Sequence, residues 1–304
     1  MDYKITNKKK YSTNFLMYIL LICNMSICIS CSADELLHHD VHYEFTLEPI
    51  DVVIPCTRKD LDTLELCIQG IKKNGRNIRR VIVVSPEKLT DKAEWFSENR
   101  YPFSKYAIAL HIFQDEVKAQ NYLDSKNNRI GWILQQLMKL YASFVIPNLS
   151  NNVLILDADT IFLNPVSFLD EQGNPLFNVG TEHHISYFEH MERLLNGFEK
   201  CFQEHSGITH HMIFQKVVLQ DLFDHISNYH QTEVWKALLQ CVDLNELDGS
   251  CMSEYEIYFN FIFTRTDQGQ IRTLKWTNSP HLSEVNNFKY QGYHYASFHT
   301  YMRE

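Results

Sequence analysis

Apolar positions along the chain change period several times, and those changes divide it into elements. Ile50-Asp51-Val52-Val53-Ile54-Pro55 is a short, almost continuous apolar run closed by proline, the pattern of a buried strand. Leu61, Leu64, Cys67, Ile68 and Ile71 then recur at helical spacing, and Lys72-Lys73-Asn74-Gly75 places cations and a glycine where a helix C-terminus favours them. Arg80-Val81-Ile82-Val83-Val84-Ser85 is a second buried strand. Strand, helix and strand in this order predict a β-α-β unit and therefore a parallel sheet. The pattern further predicts a strand at 107–113, a strongly striped helix at 131–146 that Pro147 stops, and an apolar strand at 153–156. Helices follow at 189–202, 212–228 and 232–241, and the aromatic, His-rich tail from Ile271 is expected to fold over the first half.

Ahead of this regular region, residues 15–33 are almost wholly apolar and follow Lys8-Lys9-Lys10, the arrangement of a secretory signal or a signal-anchor. Ser30, Ser32 and Ala33 would permit cleavage, while the run is close to the ~20 residues that cross a bilayer. The expected organisation is a signal peptide or anchor at 1–33, a polar link at 34–47 and a single α/β domain at 48–304. A membrane-associated or exported protein is implied, with the side of the membrane open.

Charge is distributed unevenly. The 304 residues carry a formal charge of -9, and residues 1–33 hold Lys4, Lys8, Lys9 and Lys10 against Asp2, or +3, which leaves -12 for the rest. An acidic body excludes nucleic acid as the main ligand, because phosphate backbones need clustered Lys and Arg. Of eight cysteines, Cys56, Cys67, Cys201, Cys241 and Cys251 lie beyond the leader. They form no CxxC pair and have no His at zinc spacing, so neither a disulfide scaffold nor a zinc site is expected. A Cys241–Cys251 bridge and buried free thiols both remain open.

The chemistry concentrates where the apolar strand at 153–156 runs directly into Asp157-Ala158-Asp159-Thr160. Two carboxylates one residue apart at the C-terminal end of a strand sit where open α/β sheets bind ligands, and they offer hard oxygen donors suited to Mg²⁺ or Mn²⁺.

Together VLILDADTIFLNP at 153–165, DVVIPCTRKDLDTLELCIQGIKKN at 51–74 and GWILQQLMKLYA at 131–142 resemble nucleotide-diphospho-sugar glycosyltransferases of the GT-A fold. The likeness is greatest to a bacterial group that also carries motifs like HHMIF and SEYE. It covers residues 50–301 and implies a Rossmann-like, mostly parallel sheet flanked by helices. By this resemblance Asp159 binds the metal directly and Asp157 contacts the donor ribose or the metal. Pro55, Thr57 and Asp60 would line the nucleoside pocket, and Gln135, Gln136 and Lys139 would reach the donor from the helix before the acidic turn. His210 and His211 would contact the donor sugar or the acceptor. Glu254, with Glu256 as rival, would be the base of an inverting transfer. His299, or failing it His294, would return to the metal from the C-terminus. The implied partners are a nucleotide sugar and a glycan, lipid or protein acceptor, with the membrane reached through residues 15–33.

Three alternatives remain. A retaining transferase shares the DADT pattern. An aspartyl-nucleophile phosphatase also begins with a strand and two Asp one apart, but it expects Thr or Val where Ile161 stands. A non-catalytic sugar-binding protein would have no need of Asp157, Asp159 and Glu254 together.

The leader gives the first testable outcome. The full-length chain should fractionate with membranes, and a chain starting at Asp34 should be soluble and active; recovery of the full-length protein wholly as an unprocessed soluble species would exclude a targeting role for residues 1–33.

Overall fold

In the computed structural model, which describes residues 40–303, five strands assemble into one main sheet. The signal or anchor expected at 1–33 and the start of the link lie outside the described residues. Strand β1 (Ile50–Pro55), helix α1 (Leu61–Asn74) and strand β2 (Ile78–Ser85) make the expected β-α-β unit, with Val52 opposite Val81 and Ile54 opposite Val83 in a parallel register. Strand β3 (Glu94–Ser97) extends this sheet in parallel beyond β2. Helices α2 (Lys105–Phe113), α3 (Glu116–Asp124) and α4 (Ile130–Val145) follow, and β4 (Asn152–Leu156) pairs in parallel with the other edge of β1.

Past the acidic turn, β5 (Thr160–Phe162) leaves the main sheet, and β6 (Leu176–Asn178) and α5 (Ile185–Leu194) lead to β7 (His211–Gln215). Strand β7 lies antiparallel to β4, so the main sheet has four parallel strands and one reversed edge. Then come α6 (Lys216–His230), α7 (Val234–Gln240), the almost completely buried α8 (Glu254–Arg265), β8 (Gln270–Arg272), β9 (Trp276–Asn278), α9 (Val285–Tyr290) and β10 (Tyr295–Ser297). Strand β10 joins β5 and β9 in a small second sheet, which brings the tail back to the first half as expected. Residues 40–303 belong to one compact α/β unit. No helix among the described residues is long and apolar enough to cross a membrane.

Three predicted elements differ. Residues 107–113 form part of α2 and not a strand. Ser104 caps that helix by accepting from the Ala107 N–H at 3.2 Å, and burial is one-sided at Ile108 and Ala109. An unbroken apolar run does not choose between strand and helix; the cap does. The helix expected at 212–228 starts only at Lys216, because Met212-Ile213-Phe214 completes the open edge of β4. The helix expected at 189–202 spans Ile185–Leu194, and Gly197, at φ 76°, turns the chain away after it. The Cys241–Cys251 bridge is absent, as all five cysteines among the described residues are free thiols.

Two contacts fix the site's framework. Tyr43 of the link is buried and donates to Asp221 on α6 at 2.5 Å, while Arg265 at the end of α8 donates to the same carboxylate oxygen at 3.0 Å. At the other side, α1 lies directly against β5, where a Cβ on Gly70 would stand 2.7 Å from the Phe162 carbonyl oxygen. Glycine within a helix normally costs about 1 kcal/mol against alanine. Gly70→Ala should nevertheless destabilise the protein by about 1–3 kcal/mol, since backbone of β5 must move to admit the methyl group; a raised midpoint in thermal or urea unfolding would contradict that close approach.

Candidate active site

Strand β4 delivers Asp157 and Asp159 to the C-terminal edge of the main sheet, and three backbone bonds hold their turn, two of them from other segments. The Asp157 N–H donates to the His210 carbonyl at 3.0 Å, the Thr160 N–H to the Asp157 carbonyl at 3.1 Å, and the Phe298 N–H to the Asp159 carbonyl at 2.9 Å. The segment entering β7 and the one leaving β10 therefore converge on the acidic turn. Thr160 and Ser297 reinforce this with a buried hydroxyl pair at 2.8 Å.

Lys139, on the third turn of α4, ties the turn to α8. Its ammonium lies 2.6 Å from Asp157 Oδ1 and 2.7 Å from Glu254 Oε1, and it sits 4.4 Å from the centre of the Tyr255 ring. Burial alone would pull its pKa down, but the two carboxylates outweigh burial and keep it charged. Glu254 is the first residue of α8 and is 1% exposed; its N–H donates to Gln136 Oε1 at 3.1 Å. Burial raises its pKa above the ordinary carboxylate value, against the pull of Lys139. Ser253 caps the same helix by accepting from the Glu256 N–H. Glu256 itself turns into the interior, where Ser206 donates to it at 2.6 Å and Asn260 at 2.9 Å. Of the two candidate bases, only Glu254 lines the cavity described below.

The two Asp side chains have different surroundings. Asp157 Oδ2 stands 3.9 Å from His210 Nδ1, and Asp159 Oδ2 stands 2.9 Å from His299 Nδ1. Burial opposes charge on His299, yet the Asp159 carboxylate prevails and its pKa rises. His210 is pushed down to about 4 by burial and by its neighbour His299, so it is neutral near pH 7. The His210 backbone is left-handed at φ 64°, uncommon for a side chain of this size, and the residue's carbonyl faces the acidic turn. Its ring meets that of His299 at a centroid distance of 4.6 Å.

These groups wall a cavity of about 620 Å³ that continues into a lobe of about 430 Å³. Gln135, Gln136, Lys139, Asp157, Asp159, His210, Glu254 and His299 line the cavity, Pro55 and Thr57 line the lobe, and Asp60 and Gln135 line both. Asp60 accepts from Thr300 at 2.7 Å and from Arg303 at 2.9 Å. Two sequence candidates lie elsewhere. His211 is buried among Phe162, Phe168 and Tyr295, with Nδ1 on the Thr209 carbonyl. His294, just before β10, accepts from the Lys275 N–H at 3.0 Å and does not line the cavity. Trp276 stacks on Tyr295 and does not line the cavity. Sequence reasoning missed Lys59, Arg129, Trp132, Glu182, Tyr187 and Tyr301, all of which line it. A visible signal was the Arg129-Ile130-Gly131-Trp132 start of α4, which puts polar and aromatic groups just ahead of the Gln135 and Lys139 stripe.

The donor set can be tested for a metal. Asp159 Oδ1 is buried and has no hydrogen-bond partner, an acceptor that a hard cation would fill. Among the described residues no three His, Cys, Asp or Glu side chains converge to hold an ion unaided. The residues thus fit a cation of the Mg²⁺ or Mn²⁺ kind, which takes one or two protein ligands and completes its shell on phosphate oxygens and water.

Comparison with known proteins gives little beyond the family. No curated protein matches the chain. Among solved structures, mouse xyloside xylosyltransferase 1 in its apo form is similar over 84% of this chain and 99% of that one, with 9% identity and a TM-score of 0.41. The model of one protein family matches residues 48–290, and the chain accordingly belongs to the family of unknown function DUF6492.

Proposed function

We propose that the protein is a metal-dependent glycosyltransferase that moves a sugar from a nucleotide-diphosphate donor to an acceptor hydroxyl with inversion, Glu254 serving as the base. The observation that carries this reading is the unpartnered, buried Asp159 Oδ1 on the wall of a cavity that Glu254 also lines. Similarity of the acidic turn, the α4 motif and the start of α8 to GT-A transferases supports it further, with His299 and Asp159 as the residues that would hold the cation. A bound Mn²⁺ or Mg²⁺ would neutralise charge that develops on the leaving diphosphate.

The chain's own groups account for the remaining tasks. Asp157 is held by Lys139 and by the Tyr255 hydroxyl at 3.4 Å, so it offers a fixed acceptor edge for donor hydroxyl groups. Glu254 is shielded from water, which raises its basicity, and its partner Lys139 keeps the carboxylate oriented. As base it would take the acceptor hydroxyl's proton while the acceptor oxygen bonds to the anomeric carbon and the bond to the diphosphate breaks. Neutral His210, between the carboxylates and the β7 edge, can exchange hydrogen bonds with sugar hydroxyls without adding charge. The acceptor, whether glycan, lipid or protein, is open, as is the donor sugar.

A screen of nucleotide sugars for Mn²⁺-dependent hydrolysis or transfer, with nucleotide titrations in parallel, tests the reading. Glu254→Gln should lower turnover by ~10²–10⁴ with donor affinity nearly unchanged. Asp159→Asn should lose metal-dependent nucleotide binding first, and His299→Ala should weaken Mn²⁺ more than it weakens metal-free nucleotide. Near-normal turnover in Glu254→Gln, or a product that keeps the donor's anomeric configuration, would remove Glu254 as base and favour a retaining transfer; cleavage of a simple phosphate ester in place of transfer would favour a phosphatase.

A further inference from the structure

The cavity and its lobe meet at a waist that Lys59, Asp60, Arg129, Trp132 and Gln135 share, since these residues line both. Two of the five are cations. Neither Lys59 nor Arg129 forms an ion pair among the described residues, and neither does Lys105 farther along the lobe. The Arg129 guanidinium lies 4.5 Å from the Trp132 ring centre, so an aromatic face holds its plane while its N–H groups stay free. The carboxylates here do not cancel the cations. Asp60 is already matched by Arg303, and burial biases Glu98 toward its neutral form against the pull of Lys105. The lobe wall thus holds Lys59, Lys105 and Arg129 without ion-pair partners among the described residues, against Asp60, already paired with Arg303, and Glu98, in a protein whose overall charge is -9. Unpaired cations gathered at one constriction of an acidic protein point to an anionic ligand.

We propose that Lys59 and Arg129 are a phosphate clamp at the waist, one that grips a diphosphate without help from the metal. Identifying that diphosphate as the sugar donor's rests on the transferase reading. A donor with its nucleoside in the lobe beside Pro55 and Thr57 and its sugar beside Glu254 must thread its diphosphate between these two cations. Arg129 offers a planar fork of N–H groups to phosphate oxygens, and Lys59 a mobile point charge. Gly131 leaves the adjacent wall open, for a Cβ there would meet only the end of Lys105, at 4.0 Å. The clamp and the Asp159 site are separate holds on one group, so removing metal would weaken phosphate binding without abolishing it.

Titration calorimetry of the full-length chain with inorganic pyrophosphate in excess EDTA reads the clamp directly. Saturable binding is expected, weakened at least about tenfold in the K59Q/R129Q double variant, as for the loss of charge-assisted contacts, and unchanged in K118Q on the exposed face of α3. K59Q alone, at an exposed side chain, should show part of the loss even if replacing Arg129 disturbs Trp132. No metal-free pyrophosphate binding, or binding undiminished in K59Q/R129Q, overturns the clamp. A second titration, with uridine and guanosine diphosphate plus Mn²⁺, separates the two readings. Nucleotide binding that ignores K59Q/R129Q removes the clamp and leaves the transferase reading standing. Clamp-dependent pyrophosphate binding without nucleotide binding at any Mn²⁺ concentration keeps the clamp and removes the transferase reading.

Discussion

The site depends on a single buried ammonium. Lys139 is 3% exposed and touches carboxylates from the acidic turn and from α8, segments nearly a hundred residues apart in the chain. A lysine stripped of water is tolerated only when its charge is fully matched, and here two carboxylates match it. The dependence is mutual, because Glu254 would be a buried, uncompensated charge without Lys139. The ion pair thus fixes three elements relative to one another: α4 through Lys139 and Gln136, β4 through Asp157, and α8 through Glu254. Each also contributes a wall of the cavity.

Much of this was legible in the sequence where the determinants are local. The apolar strands at Ile50–Pro55 and Asn152–Leu156 and the striped helix Ile130–Val145 follow from spacing alone, and the carboxylates at a strand end from chain order. Ser253 ahead of Glu254 and Glu256 is a cap visible in the sequence, which starts α8 where the motif lies. Sequence alone could not choose between Glu254 and Glu256. Both stand in the first turn, and only packing sends one to Lys139 and the other to Ser206 and Asn260. His210 and His211 likewise part because the left-handed backbone at His210 separates a cavity side chain from a core one. The misread run at 107–113 failed for the opposite reason: apolar residues at every position but His111 removed the periodicity that would have revealed a helix.

Positive charge was the other blind spot. Read as composition, the chain beyond residue 33 is acidic, and that argues against a polyanion binder. Net charge says nothing of placement. Arg129 and Lys59 come from separate segments, the entry to α4 and the turn after β1, and they share a constriction only because β1 and α4 pack side by side in the fold.

The acidic pair is also less symmetrical than its two-residue spacing suggests, and the asymmetry orders the chemistry. Asp157 has one oxygen on Lys139 and the Tyr255 hydroxyl, with His210 near the other, so both of its oxygens already have polar partners in the protein. Asp159 has one oxygen on His299 and the other buried without a partner. An unmet acceptor in a dry wall is a standing cost, relieved when a donor or cation arrives, whereas a satisfied one has less to gain. A ligand in the cavity would therefore gain most at Asp159 Oδ1, while the Asp157 side chain is already held in place. Because Phe298 also bonds the Asp159 backbone and Thr300 and Arg303 bond Asp60, a ligand that fills Asp159 Oδ1 lies against the same C-terminal segment that holds Asp60 at the waist. The tail thus meets the acidic turn and the waist through neighbouring residues, which makes His299, Thr300 and Arg303 one structural unit.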